Sequence, residues 1–354
     1  MRVTSEQIAA KLGVSRSTVS RALNGYPHIN GELRQRVLDL ARQMQYQPNH
    51  AAQSMARGGE MRVGVVVYSK PEAYWEQVLR GVTLAEGQLR DYGLVVERVI
   101  SDIARPGEQV RALKELAARG ARAVVLSPLE PGNLAGAIDA LIDAGVQVLL
   151  LSADVPQSRR LCYVGSDYVQ AGKLSGELLC RFLGGRGRVA AITYDDTGTM
   201  TPQKLTGFRE ELGRFPAVEM LGPYRFSRVG ERVYEDTLEL LTVEKPDAVY
   251  MTYGQLEDVA RAVEDSDLGG IVPVVGFDVT PGAVEYLRRR VLWAVIGQEP
   301  EQQGMLCVRL LYDFLARGLR PKSSVIHARL EVVTAQNCGY YLKEALSASS
   351  YGYL

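Results

Sequence analysis

The spacing of apolar side chains changes character once along the chain. Up to residue 45 they recur three and four apart, the period of helices with one buried face. Ile8 and Leu12 form one pair, Val19 and Leu23 a second, and Leu33, Val37, Leu40 and Met44 a longer stripe. Three short helices are therefore predicted. Local chemistry agrees with the spacing. Thr4 stands where a helix cap is wanted, and Gln7 follows three residues on, as in a capping box. Gly13 supplies the left-handed residue that ends the first helix, Ser15 caps the second, and Ala9 is small enough for another helix to cross close by. Arg16, Ser17, Ser20 and Arg21 are left on the outer face of the second helix.

From Met61 onward, short apolar runs alternate with amphipathic segments. Strands are predicted at 62–68, 94–100, 121–127, 146–152, 188–194, 218–224, 248–252 and 272–277, with helices at 74–92, 106–119, 131–144, 167–183, 201–212, 229–241 and 256–265. Strands that are apolar throughout are covered on both faces, which implies parallel sheets built from right-handed crossovers. There are too many strands for one comfortable sheet, and the rhythm restarts near residue 165. The expected class is α/β, a two-lobed doubly wound parallel-sheet body behind a small all-α head. Ligands in such folds sit at the carboxyl ends of strands, here in the cleft between lobes.

The two patterns are joined by a break. Pro48 disfavours helix at Gln47. Asn49 then caps a short helical stretch to Ala56, and Arg57-Gly58-Gly59-Glu60 forms the joint. The expected organisation is a helix-turn-helix domain at 1–47, a hinge helix and linker at 48–60, the two-lobed domain at 61–346 and a tail at 347–354.

Composition adds a charge asymmetry. The chain has 41 basic and 41 acidic residues, but residues 1–62 hold nine Lys/Arg against four Asp/Glu. A basic head on an acidic body is the balance of a DNA-binding module on a carrier domain. No apolar run reaches the ~20 residues that cross a bilayer, and no signal peptide opens the chain, so a cytoplasmic protein is expected. The four cysteines, Cys162, Cys180, Cys307 and Cys338, have no CxxC spacing and read as reduced thiols. The three histidines lie far apart, and neither a metal site nor a cofactor is expected. The tail carries no leucine heptad of the kind that builds a tetramerising helix.

The runs Val14 to Asn24 and Tyr46 to Ala56, together with the two-lobed body, resemble the lactose-repressor (LacI) family of bacterial transcription regulators. That resemblance implies a homodimer on a pseudo-palindromic double-stranded DNA operator, acting as a repressor, with a sugar or related metabolite as effector. It places Arg16, Ser17 and Arg21 at base-reading positions and Thr4, Ser15, Ser20 and Asn24 at phosphates, which fix register. It also places the hinge segment from Asn49 in the minor groove, where Met55 stands for the family's usual leucine wedge and Ala52 lets two hinge helices pack.

The body resembles the ribose-type and inositol-type sugar-binding proteins, whose sites bond sugar hydroxyls through carboxylates and amides and stack the ring on aromatics. Tyr74 and Trp75 fall at the stacking positions, and Asp154, Asp278 and Gln298 at hydroxyl-binding positions. Two departures stand out. Lys204, three residues before Gly207-Phe208, replaces the family's arginine and loses its bidentate fork. Tyr253-Gly254-Gln255 replaces a common Asn-Asp pair.

An enzyme is the rival class. Gly184-Gly185-Arg186-Gly187 precedes a strand instead of following one, which makes it a helix-to-strand loop and not a phosphate cradle. Asp195-Asp196 reads as a solvated loop pair, and no nucleophile has a histidine near it. No catalytic residue is expected. A free-standing sugar-binding protein is the second rival, and the basic head argues against it.

Overall fold

The computed structural model describes residues 3–23, 29–44, 46, 60–105, 107–194, 198–226 and 232–341. The chain divides into two compact units, the small one comprising Met1–Glu60 with Leu89–Leu94 and the large one holding the rest.

The head is built as its caps dictate. Helix α1 spans Ser5–Leu12. The Gln7 amide donates to Thr4 Oγ1 at 3.3 Å and the Thr4 amide to Gln7 Oε1 at 3.0 Å, which completes the capping box. Gly13 ends the helix at φ 66°. Helix α2, Arg16–Leu23, begins behind Ser15, whose hydroxyl accepts from the Thr18 amide at 3.1 Å. Helix α3, Gly31–Gln43, is capped by Asn30, which accepts from Glu32 N at 2.9 Å. Ile8, Ala9, Val19, Ala22, Val37 and Ala41 are buried where the three helices meet. The buried Ala9 and Ala22 let the backbones approach closely.

The body holds two six-stranded sheets. The first comprises β1 (Met61–Tyr68), β2 (Leu94–Ser101), β3 (Ala123–Leu126), β4 (Gln147–Leu151), β5 (Cys162–Ser166) and β11 (Val325–Ala328), in the order β11-β5-β4-β3-β1-β2. The second comprises β6 (Arg186–Tyr194), β7 (Ala217–Phe226), β8 (Ala248–Met251), β9 (Val274–Phe277), β10 (Ala294–Gly297) and β12 (Glu331–Val333), in the order β12-β10-β9-β8-β6-β7. From β11 to β1 in the first sheet and from β10 to β7 in the second the pairing is parallel, and at the second sheet's edge β12 runs antiparallel to β10 with Ile296 opposite Val332. The expected parallel, doubly wound sheets are present, with this one antiparallel strand added at an edge. It is a three-residue return and is not fed by a crossover helix.

Helices α4 (Glu72–Leu89), α5 (Glu108–Ala118) and α6 (Pro131–Asp143) follow β1, β2 and β3. Helices α7 (Tyr168–Phe182), α8 (Met200–Leu212), α9 (Val233–Glu244), α10 (Leu256–Asp265) and α11 (Pro281–Arg288) belong to the second half, and α12 (Pro300–Arg317) returns to pack on β1, β3 and β4 of the first sheet. The chain therefore passes between lobes three times: after β5 at Asp167, after β10 at Gln298 and Glu299, and between β11 and β12 at Arg329 and Leu330.

Two glycines set how closely α7 and α8 cross. A Cβ at Gly172 would sit 1.9 Å from the Lys204 carbonyl oxygen, and one at Gly207 would sit 1.9 Å from that of Val169. Only glycine at both places allows this approach, which brings Tyr168 and Lys204 side by side. Gly207→Ala should force the helices apart and cost about 1–3 kcal/mol, the usual penalty for overpacking. Gly136→Ala on α6 meets nothing within 4 Å and should be neutral or stabilising by up to ~1 kcal/mol. Urea unfolding read by fluorescence of Trp75 and Trp293 checks both; equal midpoints for the two variants would contradict the packing account.

Candidate functional site

On the head, α2 presents its polar face outward. Arg16, Ser17 and Arg21 are exposed, as are Thr4 and Ser15, whereas Ser20 is half-buried. Arg16 pairs with Glu6 of α1 at 3.1 Å, and both side chains are 64% exposed, so the pair is worth at most ~1 kcal/mol and releases readily. Ser15 Oγ lies 2.7 Å from Ser17 Oγ and 2.8 Å from Thr18 Oγ1, which holds the start of α2 in order. Asn24, Asn49, Ala52 and Met55 lie outside the described residues.

In the body, the carboxyl ends of strands from both sheets face one another across a cleft. A cavity of about 240 Å³ there is lined by Lys70, Glu72 and Tyr74 of the first lobe and by Tyr194, Tyr253, Glu257, Asp258, Phe277 and Asp278 of the second, among others. Its volume falls just below the ~300–1,000 Å³ of ordinary small-molecule pockets and suits a compact ligand. A smaller space of about 20 Å³ adjoins it, walled by Tyr68, Trp75, Ser152, Tyr168, Lys204 and Gln298. Side chains fill that deeper part almost completely.

Aromatic rings do most of the filling. Trp75 packs edge-on against Tyr68 at 4.6 Å and Tyr74 at 4.9 Å, and its indole NH donates to the Lys70 carbonyl. Trp75 is thus a buried support behind the wall, and Tyr74 is the ring that lines both spaces. Tyr194 and Tyr253 meet edge-on at 5.5 Å on the opposite side. Among the contacts that bridge the lobes are the Tyr68 and Tyr253 hydroxyls at 3.4 Å, Gln77 Nε2 donating to the Val279 carbonyl at 3.1 Å, the Tyr168 hydroxyl donating to the Ser152 carbonyl at 2.7 Å, and Gly254 laid against Pro71.

The ionisable groups are held tightly. Lys204 is 3% exposed; its ammonium donates to the Thr252 carbonyl at 2.7 Å and sits 3.5 Å from the Phe277 ring centre. Asp278 accepts from Gln298 Nε2 at 2.7 Å. Burial pushes the Asp278 carboxyl above the usual carboxylate range, against the opposing pull of Lys204 and Gln298, while Glu257 adds to the rise. Burial also drives the Tyr74 hydroxyl well above its ordinary value, with Tyr168 and Asp278 contributing and Ser152 opposing. Among the described residues, Tyr74 Oη and Gln298 Oε1 are buried in the cleft with no hydrogen-bond partner, a cost of ~1–3 kcal/mol each unless something occupies the site.

Backbone strain gathers at the same place. Ser152, Gln255, Asp278 and Glu299 adopt left-handed conformations at φ 64°, 61°, 72° and 50°, each costing ~1–2 kcal/mol in an ordinary chain. Ser152 is pinned by two hydroxyls on its carbonyl, Tyr163 at 3.0 Å and Tyr168 at 2.7 Å. Such clustering marks sites where geometry is held for a purpose other than stability.

Five of the six residues expected in the cleft, Tyr74, Trp75, Lys204, Asp278 and Gln298, come together there. Asp154 does not line either space. Arg160, six residues on, pairs with both its oxygens and donates to the Ser324 carbonyl, so Asp154 secures the β4–β5 connection. Tyr68, Tyr168, Tyr194, Glu257 and Thr280 were not anticipated, and Tyr253 stood out only as a departure from the family's Asn-Asp pair. Their signal was the placement of tyrosines at or just after strand ends in a chain with 18 Tyr and six Phe.

Residues 63–319 match the family model for the periplasmic binding protein domain, and residues 5–49 match that for bacterial regulatory proteins of the lacI family. The transcriptional regulator AglR of Rhizobium meliloti is 51% identical over 67 residues, a stretch spanning 19% of each chain. Catabolite control protein A of Staphylococcus xylosus is 24% identical over 327 residues, 90% of this chain and 91% of that one. Among solved structures, a solute-binding protein of an ABC transporter from Burkholderia graminis, in complex with D-arabinose, superposes with a TM-score of 0.74 at 21% identity, over 80% of this chain and 99% of that one.

The raised carboxyl of Asp278 makes a stability prediction. The folded state holds that proton more tightly than the unfolded chain does. Stability from this group is therefore fullest below the unfolded value of ~3.9 and is lost as pH rises through the folded value. Asn stays neutral and tolerates positive φ. Asp278→Asn should melt higher than the parent at pH 7, and the gap should close near pH 4. A lower melting temperature at pH 7 would contradict the assignment.

Proposed function

The chain belongs to the periplasmic binding protein domain family and carries the head of the lacI family of bacterial regulators, and on that premise we propose that it is a sequence-specific transcriptional regulator. Its output is operator binding by the head, and its input is a sugar-like effector held between the lobes. The observation that carries this reading is the coexistence in one chain of an exposed Arg16-Ser17-Arg21 face and a two-lobed cleft with unpartnered buried polar atoms.

The chemistry follows from the residues. Arg21, and Arg16 once it leaves Glu6, offer bidentate donors to guanine, and Ser17 a hydroxyl to either kind of base. Thr4, Ser15, Ser20 and Asn24 take phosphates and fix register. Two copies place two such helices in successive major grooves of a pseudo-palindrome. Asn49, Ala52 and Met55 form the second reader, in the minor groove between them. In the cleft, Tyr74 and Tyr253 supply ring faces, Asp278 and Gln298 accept hydroxyl hydrogens, and Lys204 stands as the donor opposite. A ligand touching both lobes alters the angle between them. No catalytic step is assigned, and the protein acts in the cytoplasm as a repressor.

Selection of operators from a random DNA library, followed by titration at several salt concentrations, tests the head. Arg21→Ala should lose ~1–3 kcal/mol at one base position and relax preference there. Affinity of the parent should fall steeply with salt, as phosphate neutralisation requires. An unchanged operator preference for Arg21→Ala would remove that residue from the base-reading set.

A further inference from the structure

The charge of the cleft restricts the effector further than its size does. Four carboxyl groups line the 240 Å³ cavity, from Glu72, Glu257, Asp258 and Asp278; Asp258 is paired with Arg261 at 3.2 Å, and Lys70 is the one lining cation among the described residues. No arginine lines it among the described residues. Lys204, the next cation, lies in the deeper space with its ammonium directed at the Thr252 carbonyl and the Phe277 ring. Thr280 donates its hydroxyl to Glu257, and Gln298 donates to Asp278. With one donor each, Glu257 and Asp278 keep lone pairs in reserve, and Glu257 is close enough to act on Asp278.

Two further observations point to an occupant. Tyr74 and Gln298 are each 5% exposed, and Tyr74 Oη and Gln298 Oε1 have no partner. Because the Gln298 amide nitrogen is spent on Asp278, the free atom is an acceptor. The rings of Tyr74 and Tyr253 line the cavity beside the carboxyl groups, and π-faces attract cations. The site therefore presents acceptors, rings and negative charge, and asks for donors and positive charge. A sugar phosphate or sugar acid would meet like charge with no guanidinium to receive it.

Resting on the reading of the cleft as an effector site, we propose that the effector is a sugar-sized polyol carrying an ammonium group, an amino sugar in chemical class. The ammonium sits at Asp278 and Glu257 with a tyrosine face beside it, and the hydroxyls fill Gln298 Oε1 and Tyr74 Oη. This arrangement relieves the burial that holds Asp278 high, since a bound cation favours the ionised carboxylate.

Calorimetric titration of the full chain with matched pairs tests it: D-glucosamine against D-glucose, D-galactosamine against D-galactose, and D-mannosamine against D-mannose, with glucose 6-phosphate as the anion. At least one amine should bind about tenfold or more tighter than its hydroxyl partner, as one screened charge contact provides. That preference should shrink as salt rises and should fall in Glu257→Gln. The comparison of pairs on the unaltered protein stands even if the variant does not fold. Neutral sugars binding as tightly as their amines, or the phosphate binding tightest, would overturn the ammonium assignment and leave a sugar effector in place. Absence of binding by every sugar and amine would overturn both readings.

Discussion

Every movement of one lobe against the other has to pass through three short stretches of backbone, at Asp167, at Gln298–Glu299 and at Arg329–Leu330. Side chains at these crossings hold one another. His327 faces Asp167 at 3.7 Å, and Arg329 reaches Glu299 at 2.9 Å and Glu331 at 2.6 Å. Singly, such exposed pairs contribute little. Placed at the pivots, they mean that the crossings share partners, so a change at one is felt at the next. Glu299, left-handed at φ 50°, links directly to Gln298 in the cleft. The pivot and the cleft wall are thus adjacent residues of one segment.

The cleft itself runs against the economy of the rest of the fold. Elsewhere in the body, strands such as β3 and β8 are wholly buried and apolar. Around the cleft, left-handed non-glycine residues, a buried lysine, a carboxylate with a raised pKa and unpartnered polar atoms accumulate instead. Each is a local cost of the kind that a bound ligand would offset. A site of this kind gives the bound state a large advantage over the free one, and differential affinity is what any effector-driven shift requires.

Much of this was legible in sequence, for physical reasons that differ by element. The head was readable because its caps are local: Thr4 with Gln7, Gly13 and Ser15 act on neighbours within four residues. The strands β1, β3 and β4 were readable because burial on both faces leaves long apolar runs, interrupted only near their starts by Arg62 and Gln147. Strand β5 was missed, since Cys162–Ser166 ends in Gly165-Ser166 and follows the polar run Ser158-Arg159-Arg160. Strands β10 to β12 and helices α11 and α12 also escaped, because lobe exchange there interrupts the simple alternation. Asp154 shows the limit most clearly. Its motif pointed to the cleft, but Arg160 captures it, and that pairing depends on how the β4–β5 connection folds. The tyrosines at strand ends were hidden for another reason: sequence alone does not separate a ring that fills a core from one that walls a cavity.

The central claim is that occupancy of the cleft and operator binding by the head are two readings of one equilibrium. Thermodynamic linkage makes that claim directly measurable, because coupling must be reciprocal. The measurement is effector affinity of the full chain by calorimetry, alone and saturated with its selected operator, set beside operator affinity with and without saturating effector. The account predicts the same factor in both directions, within the ~5–150-fold range usual for such coupling. An effector that binds the cleft equally well with and without operator, and leaves operator affinity unchanged, would contradict it.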